Sequence, residues 1–349
     1  MRGAPGYRGT TLGVVLALVA LAAGCAPASG GASAPPPAPP GVAATPAPSD
    51  EASAAPPPAT RLRMGFVSVS WSSQLPVALA EELGYLQDEG LEIEPQIVRS
   101  GGPVLVAMLL SGDIDMLTSG IEAQLQSIAA GAPAIIVGGM SDKSDYSLLG
   151  AKGLHSIEEL RGQTVAITGA GTYSEFAVTE ALRRLGLERD RDYAVRAVGN
   201  TSLRLAALST GQVQAVPLDP GDRFKAEADG FPVLVEVGRV IPEFPFSTLM
   251  ARQELAATHP EAIVGLLRAM ARAQDFIRQD VDRAVDLGKA HGLEGDPALE
   301  RKVMAFVAPD LHVNLNKENL AALMATRGLG DNPDAVFDDH FLRQAGLAP

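Results

Sequence analysis

The sequence predicts an α/β protein of two doubly wound lobes joined by two crossover segments, with a helical C-terminal extension belonging to the first lobe. Three observations predict it. Segments that alternate apolar and polar residues are separated by helix-like segments that stop at glycine, the pattern of parallel sheets covered by helices. That plan runs twice along the chain, which implies two similar lobes. From Gln253 onward the chain reads as helical almost throughout, with Ile263, Leu266, Leu267, Met270 and Phe276 at core spacing.

Residues 1–60 stand outside the fold. Arg2 and Arg8 precede an apolar run from Thr11 to Leu21, and Leu21-Ala22-Ala23-Gly24-Cys25 follows. A charged start, a short apolar stretch and small residues describe a secretory signal over 1–24. The run is too short to span a bilayer as a helix. Leu-Ala-Ala-Gly-Cys resembles a bacterial lipobox, so Cys25, the only cysteine, is the expected lipidation site and membrane anchor. With that thiol acylated, no disulfide is available to the exported fold. Residues 25–60 are nearly all Ala, Pro, Gly and Ser, with Pro35-Pro36-Pro37 and Pro56-Pro57-Pro58 stiffening a disordered tether.

Beyond Arg61 the chain is long enough for two cores. It has no second apolar run of spanning length. The formal net charge of −13 argues against nucleic acid, which needs a basic face.

The first lobe opens on a strand from Arg61 to Ser70, then a helix carrying Leu75, Leu79 and Leu83, with Pro76 in its first turn and Gly84 as its stop. Leu91, Ile93 and Ile97 mark a second strand. Pro103 opens a helix that ends at Gly112, Ile114 to Leu117 is a short strand, Ile121 to Gly131 a helix, and Ala134 to Val137 an apolar strand. The second lobe repeats this with strands at Thr164–Ile167, Tyr193–Val198 and Val213–Leu218, and helices at Thr172–Leu185 and Leu203–Leu208. Leu110-Ser111-Gly112-Asp113-Ile114-Asp115 in the first half matches Ser209-Thr210-Gly211-Gln212-Val213-Gln214 in the second. Ser156 and Glu159 frame a short capped helix over 157–160. Val233 to Val237 is a further strand, and Phe246 to Ala251 crosses back. The predicted boundaries are 62–141 plus 246–349 for one lobe and 142–245 for the other.

Ligands of open α/β sheets bind beyond the carboxyl ends of the strands. That rule selects Ser70, Trp71, Ser72 and Gln74 after the first strand, Ser119 and Gly120 after the third, and Ser141 after the fourth. In the second lobe it selects Thr168, Gly169, Gly171, Thr172, Ser174 and Asp219. Hydroxyls and free N–H groups at helix starts suit an anion or a carbonyl, although the same residue types also serve as plain caps. Trp71 is placed either to stack on a flat ligand or to close the core. Glu175 completes a capping box with Thr172 or meets a ligand amine. Asp219 suits a cationic or donor group unless Arg223 neutralises it. Thr168-Gly-Ala-Gly-Thr lacks the dinucleotide spacing and a Walker lysine, so it is no phosphate loop. The five histidines, at 155, 259, 291, 312 and 340, are scattered, and no metal, cofactor or catalytic set is expected.

Ala80-Glu81-Glu82-Leu83-Gly84-Tyr85-Leu86, with Glu89-Gly90-Leu91-Glu92-Ile93, resembles a stretch common to the nitrate/sulfonate/taurine-type substrate-binding proteins. The Leu110–Asp115 turn and Ser156-Ile-Glu-Glu-Leu-Arg-Gly-Gln-Thr-Val-Ala166 are similar to two further motifs of that family, in the same order. The resemblance covers about Arg61 to Arg278. It implies a type II periplasmic-binding-protein fold, hinge closure on a small molecule, and an ABC importer permease as partner, with Asp115 in a structural turn. Binders of thiamine-pyrimidine precursors share that superfamily. Its synthases need a cysteine-rich motif and a lysine, and this chain has no cysteine cluster. A monomer is expected. For the ligand two classes stand open: a small oxyanion held by N–H groups and hydroxyls, or a flat heterocycle held by Trp71 and Asp219. The candidate turns contain no arginine, and Lys143 lies at their margin.

Overall fold

The computed structural model describes residues 59–67, 71–98 and 101–347, all within one unit of the chain, Ala55–Pro349. Cys25, the signal and tether segments and Ser70 lie outside the described residues.

The first lobe begins with β1 (Thr60–Phe66), α1 (Trp71–Glu82), α2 (Tyr85–Asp88), β2 (Leu91–Ile97), α3 (Gly102–Ser111), β3 (Met116–Gly120), α4 (Ile121–Ala129) and β4 (Ala134–Ser141). The second holds β5 (Ser147–Gly150), β6 (Thr164–Ile167), α5 (Tyr173–Arg184), β7 (Ala194–Ala197), α6 (Thr201–Ser209), β8 (Ala215–Leu218), α7 (Pro220–Ala228), β9 (Val233–Glu236) and α8 (Val237–Val240). The chain then returns through β10 (Ser247–Arg252) and continues as α9 (Gln253–Thr258), α10 (Pro260–Gln279), α11 (Val281–Ala290), α12 (Pro297–Val307), α13 (Lys317–Thr326) and α14 (His340–Ala345).

Each lobe is a five-stranded sheet, ordered β2-β1-β3-β10-β4 in one and β7-β6-β8-β5-β9 in the other. The two orders correspond strand for strand. Both sheets are mixed rather than parallel. β10 runs antiparallel between β3 and β4, and β5 runs antiparallel between β8 and β9. The reversed strand in each sheet is the one that has just crossed from the other lobe. Side-chain alternation reveals a strand but not its direction, and β5 is too short and too buried to alternate, so sequence pattern missed both points.

Other departures are local. Pro76 sits in the second turn of α1, where it removes a backbone donor from the helix interior. Ser156 does not cap its helix. That segment is a single 3₁₀ turn, Glu158–Leu160, and the Glu159 carboxylate accepts the His155 N–H at 2.7 Å. The repeated turn glycines behave as expected: Gly112 after α3 and Gly211 after α6 both take the left-handed conformation, at φ 83° and 72°.

Asp115, the turn aspartate, ties three strands together. It accepts the Arg63 N–H at 3.0 Å, the Arg63 guanidinium at 2.7 Å and the Arg252 guanidinium at 2.6 Å. Burial works against its charge, yet the Arg63 and Arg252 contacts prevail and hold its carboxyl at about 2.

The tail is more than a cover for the first lobe. α10 buries Ile263, Leu266, Leu267, Met270 and Ile277 and packs on α1, α2 and α14, with Leu267 set against Gly138 of β4, while α11 and α12 also reach α1. Each such side chain contributes roughly 1.5–3 kcal/mol. α12 then packs on α7 of the second lobe. There Phe306 meets Phe224 edge-on at 6.0 Å, and the Arg223 guanidinium lies 4.8 Å from the Phe306 ring centre.

Candidate functional site

Six helices begin around one cavity between the lobes. Ser72 and Ser73 come from α1, Gly102 and Pro103 from α3, Gly120 precedes α4, Thr172 to Ser174 open α5, Asn200 and Thr201 open α6, and Asp219 precedes α7. The strand order causes this. Parallel strands present their carboxyl ends on one side of each sheet, and each following helix starts there with N–H groups that have no carbonyl partner within the helix itself. Three helix starts face the cleft from each lobe, so its potential is positive before any side chain is counted.

Most hydroxyls of the lining are engaged inside the protein. Ser174 Oγ accepts the Thr168 N–H at 2.8 Å and lies 2.9 Å from Thr172 Oγ1, which donates to the Gly169 carbonyl at 2.8 Å. Ser141 donates to the Lys143 carbonyl at 2.8 Å, and Ser119 Oγ accepts from Gln124 at 3.1 Å. Glu175 accepts the Gly171 N–H at 2.8 Å and pairs with Arg189 at 2.6 Å, while Thr172 makes no side-chain cap bond, so the expected capping box is not formed and the carboxylate instead holds the turn before α5.

Against that background a guanidinium and a carboxyl stand out, and the lining Tyr173 hydroxyl shares their lack of a hydrogen-bond partner among the described residues. Arg204, on α6 and 1% exposed, donates through Nε to the Pro217 carbonyl at 2.9 Å and through Nη1 to the Gly199 carbonyl at 2.7 Å and to Thr168 Oγ1. Its Nη2 has no hydrogen-bond partner among the described residues. Asp145, in the first crossover and 9% exposed, has its Oδ1 in the same condition. Burial, reinforced by the charge of Asp219, pushes its carboxyl up to about 8. A buried guanidinium with an idle donor is costly unless something completes it.

Aromatic rings form part of the wall. Phe246 lies 4.6 Å from Tyr173 and 5.4 Å from Tyr146, centre to centre, and the Arg204 guanidinium is 5.9 Å from the Tyr146 ring. Burial raises both tyrosine hydroxyls above their usual range, so they remain neutral. Val307 and Leu311 of the tail complete the lining.

Of the residues selected from sequence, Ser72, Ser119, Gly120, Ser141, Thr168, Thr172, Ser174 and Asp219 line this cavity. Trp71, Gln74, Gly169 and Gly171 do not. Trp71 is buried under the tail, donating to the Glu294 carbonyl at 2.7 Å beside Gly288 and Gly295, so its role is to close the core. The Gly171 N–H is taken by Glu175, and its α-carbon faces Gln126 of the first lobe. Asp219 combines a cleft position with a cap, accepting the Asp222 N–H at 3.1 Å. Arg223 does not neutralise it. That side chain turns to Glu236 at 2.8 Å and Ser147 at 2.9 Å.

Sequence reasoning missed Arg204, Asp145, Tyr146, Tyr173 and Phe246. One signal for Arg204 was present. Aligning the matched turns Leu110-Ser-Gly and Ser209-Thr-Gly places Arg204 opposite Leu105, a guanidinium where the other lobe has a core residue.

The sequence profile of the NMT1-like family matches residues 55–287, more than half of the chain. The chain belongs to the NMT1-like family. A relative from Brucella abortus, named only as a binding protein, is 24% identical over 233 residues, covering 65% of this chain and 70% of its own. Among solved structures, the alkanesulfonate-binding protein SsuA of Xanthomonas axonopodis, bound to MOPS, superposes with a TM-score of 0.65 at 21% identity, covering 81% of this chain and 99% of its own. A ligand-binding component of an ABC-type import system from Staphylococcus aureus gives 0.67 at 16% identity, covering 82% and 99%. This NMT1-like chain therefore has the periplasmic-binding-protein fold, with the two α/β lobes that the sequence resemblance implied.

Proposed function

We propose that this NMT1-like protein is an extracytoplasmic solute-binding lipoprotein that captures a small oxyanion of the sulfonate class between its lobes and delivers it to an ABC importer. The observation that carries the reading is the idle Nη2 of buried Arg204 at the focus of six helix starts. An oxyanion satisfies that donor and the N–H groups together, and it does so best when the lobes close. A ligand that touches both lobes favours the closed population by its differential affinity. Capture and release are then the whole output, and no covalent step is assigned to any side chain.

The rest of the proposal comes from sequence: acylation of Cys25, a tether over 25–60, lobes at 62–141 plus 246–349 and at 142–245, and action as a monomer outside the cytoplasmic membrane. The importer partnership is supported by what the similar structures are named for.

A thermal-shift screen of alkanesulfonates, nitrate, taurine and pyrimidines tests the reading, because binding to the native state raises the melting temperature. A sulfonate is expected to give the largest rise, and Arg204→Ala is expected to abolish it. A hit that is indifferent to Arg204, or that is converted to product, overturns the proposal. A second reading, a flat heterocycle, draws support from the three rings of Tyr146, Tyr173 and Phe246 and from Asp219; the same screen decides it, with a pyrimidine as the hit.

A further inference from the structure

We infer that residues 306–313 of the tail form a splint along the first crossover, a non-covalent third hinge segment that ties solute contact to lobe closure, with Phe306 and Asp310 as its positioning residues. The inference rests on the proposed solute capture and adds a device that regulates the same cleft. The first crossover, residues 142–146, joins β4 to β5, and the tail runs beside it from one lobe to the other. At the first-lobe end the Gly139 N–H of β4 donates to the Val313 carbonyl at 2.6 Å. A Cβ at Gly139 would fall 2.5 Å from the Asn314 carbonyl, so only glycine lets the two backbones approach this closely. In the middle, a 3₁₀ turn over Ala308–Asp310 brings the Asp310 carbonyl to the Asp142 N–H at 3.2 Å and the Asp310 carboxylate to Lys143 at 2.8 Å. His312 lies 3.4 Å from the Asp142 carboxylate. At the second-lobe end Phe306 meets Phe224 and Arg223 of α7. Arg223 in turn donates to Ser147, the first residue of β5, at 2.9 Å.

Between these grips Val307 and Leu311 line the cavity, as do Ser141, Asp145 and Tyr146 on the crossover side. The Arg278 guanidinium donates to the Leu311 carbonyl and fixes the segment to α10. A solute in the cleft therefore presses on the same short segment that holds the hinge. Because α12 is packed on α1 and α11 of the first lobe, rotation of the second lobe must draw α7 away from Phe306 as the crossover bends. The splint is made with the lobes close together: a Cβ at Gly101 would lie 3.8 Å from Thr168, and one at Gly171 3.0 Å from Gln126. Its loss favours the open arrangement and shortens the stay of the solute.

Two measurements on the full chain test the splint, and neither Phe306 nor Asp310 lines the cavity. Hydrogen exchange without any solute is expected to be about ten-fold faster over residues 141–147 in Phe306→Ala, and about two- to three-fold faster in Asp310→Asn. Exchange in β2 and β6, away from the hinge, is expected to stay at the wild-type rate. Stopped-flow kinetics with ethanesulfonate are expected to show dissociation about ten-fold faster in Phe306→Ala, with association within about two-fold of wild type. Phe306→Tyr, which keeps the ring, is expected to restore both rates. Should Phe306→Ala fail to fold, Asp310→Asn carries both measurements. Unchanged exchange in the crossover, acceleration spread evenly over both sheets, or wild-type dissociation from a folded variant would each overturn the splint while leaving the oxyanion site standing. If ethanesulfonate and its longer-chain homologues do not bind the wild-type protein, the oxyanion reading fails, and the exchange measurement still decides the splint.

Discussion

The two lobes share a strand order, a reversed fourth strand and a set of helix starts, yet α3 and α6 have been given different work. In the first lobe α3 turns Leu105 into an apolar cluster with Val106, Leu109, Ile114 and Leu117. In the second, α6 turns Arg204 inward at the matching position, bonded to two carbonyls and a threonine with one nitrogen left over. The same backbone carries a packing residue in one copy and a buried guanidinium with an unsatisfied donor in the other. Scaffold and chemistry are therefore separable here: the repeat sets where a side chain points, and a single exchange sets whether it is an apolar packing group or a buried charge.

That comparison can be broken most forcefully from the packing side. Leu105→Arg puts an uncompensated charge into the first lobe and is expected to cost about 3–5 kcal/mol, read as a lower urea midpoint. A loss near zero would mean that the first-lobe position already tolerates a cation, and the contrast between α3 and α6 would disappear. The reciprocal exchange, Arg204→Leu, is expected to leave a folded protein by circular dichroism while weakening sulfonate binding about a hundred-fold, on the order of 2.7 kcal/mol. Retained affinity would show that the helix starts alone hold the anion.

A smaller effect sharpens the difference at the place where the lobes meet. Glu122, in the first turn of α4, is 1% exposed and lies 3.1 Å from Arg327; the corresponding turn of α7 holds Gly221 instead. Burial, helped by the charge of Glu175 and resisted by Arg327, pushes the Glu122 carboxyl up to about 7. The unfolded chain releases this proton near its ordinary pKa of about 4.3, the folded chain only near 7. Stability contributed by the protonated group is full below the first value and declines as pH rises toward the second. Glu122→Gln is therefore expected to flatten the fall of the melting temperature between about pH 5 and 7, by a few °C. Parallel profiles for wild type and variant would remove Glu122 from the account.

How much of this was legible beforehand depends on what each residue answers to. Ser119, Gly120, Thr168, Thr172, Ser174 and Asp219 reached the cavity because their positions follow from where strands end, and strand ends are visible as pattern. Arg204 and Asp145 lie inside a helix and in a crossover, where that rule does not look. The fate of Trp71 was settled by a tail 223 residues downstream, beyond the reach of any local pattern. Ser72, Ser119, Ser141, Thr168, Thr172 and Ser174 line the cavity, but whether a hydroxyl is open to a solute depends on neighbours that pair with it, such as Thr168 with Arg204, and only the fold reveals them.

The placement of β10 has a consequence for the order of assembly. All five strands of the second sheet fall within one uninterrupted stretch, Ser147 to Glu236, whereas the first sheet needs Ser247–Arg252 as its fourth strand, wedged between β3 and β4. As the chain emerges from its N-terminus, the later-made sheet is thus the earlier one to be complete, and β4 has no seam to join until β10 arrives. The half of the molecule that begins first must wait, with an open edge, for the other half to finish.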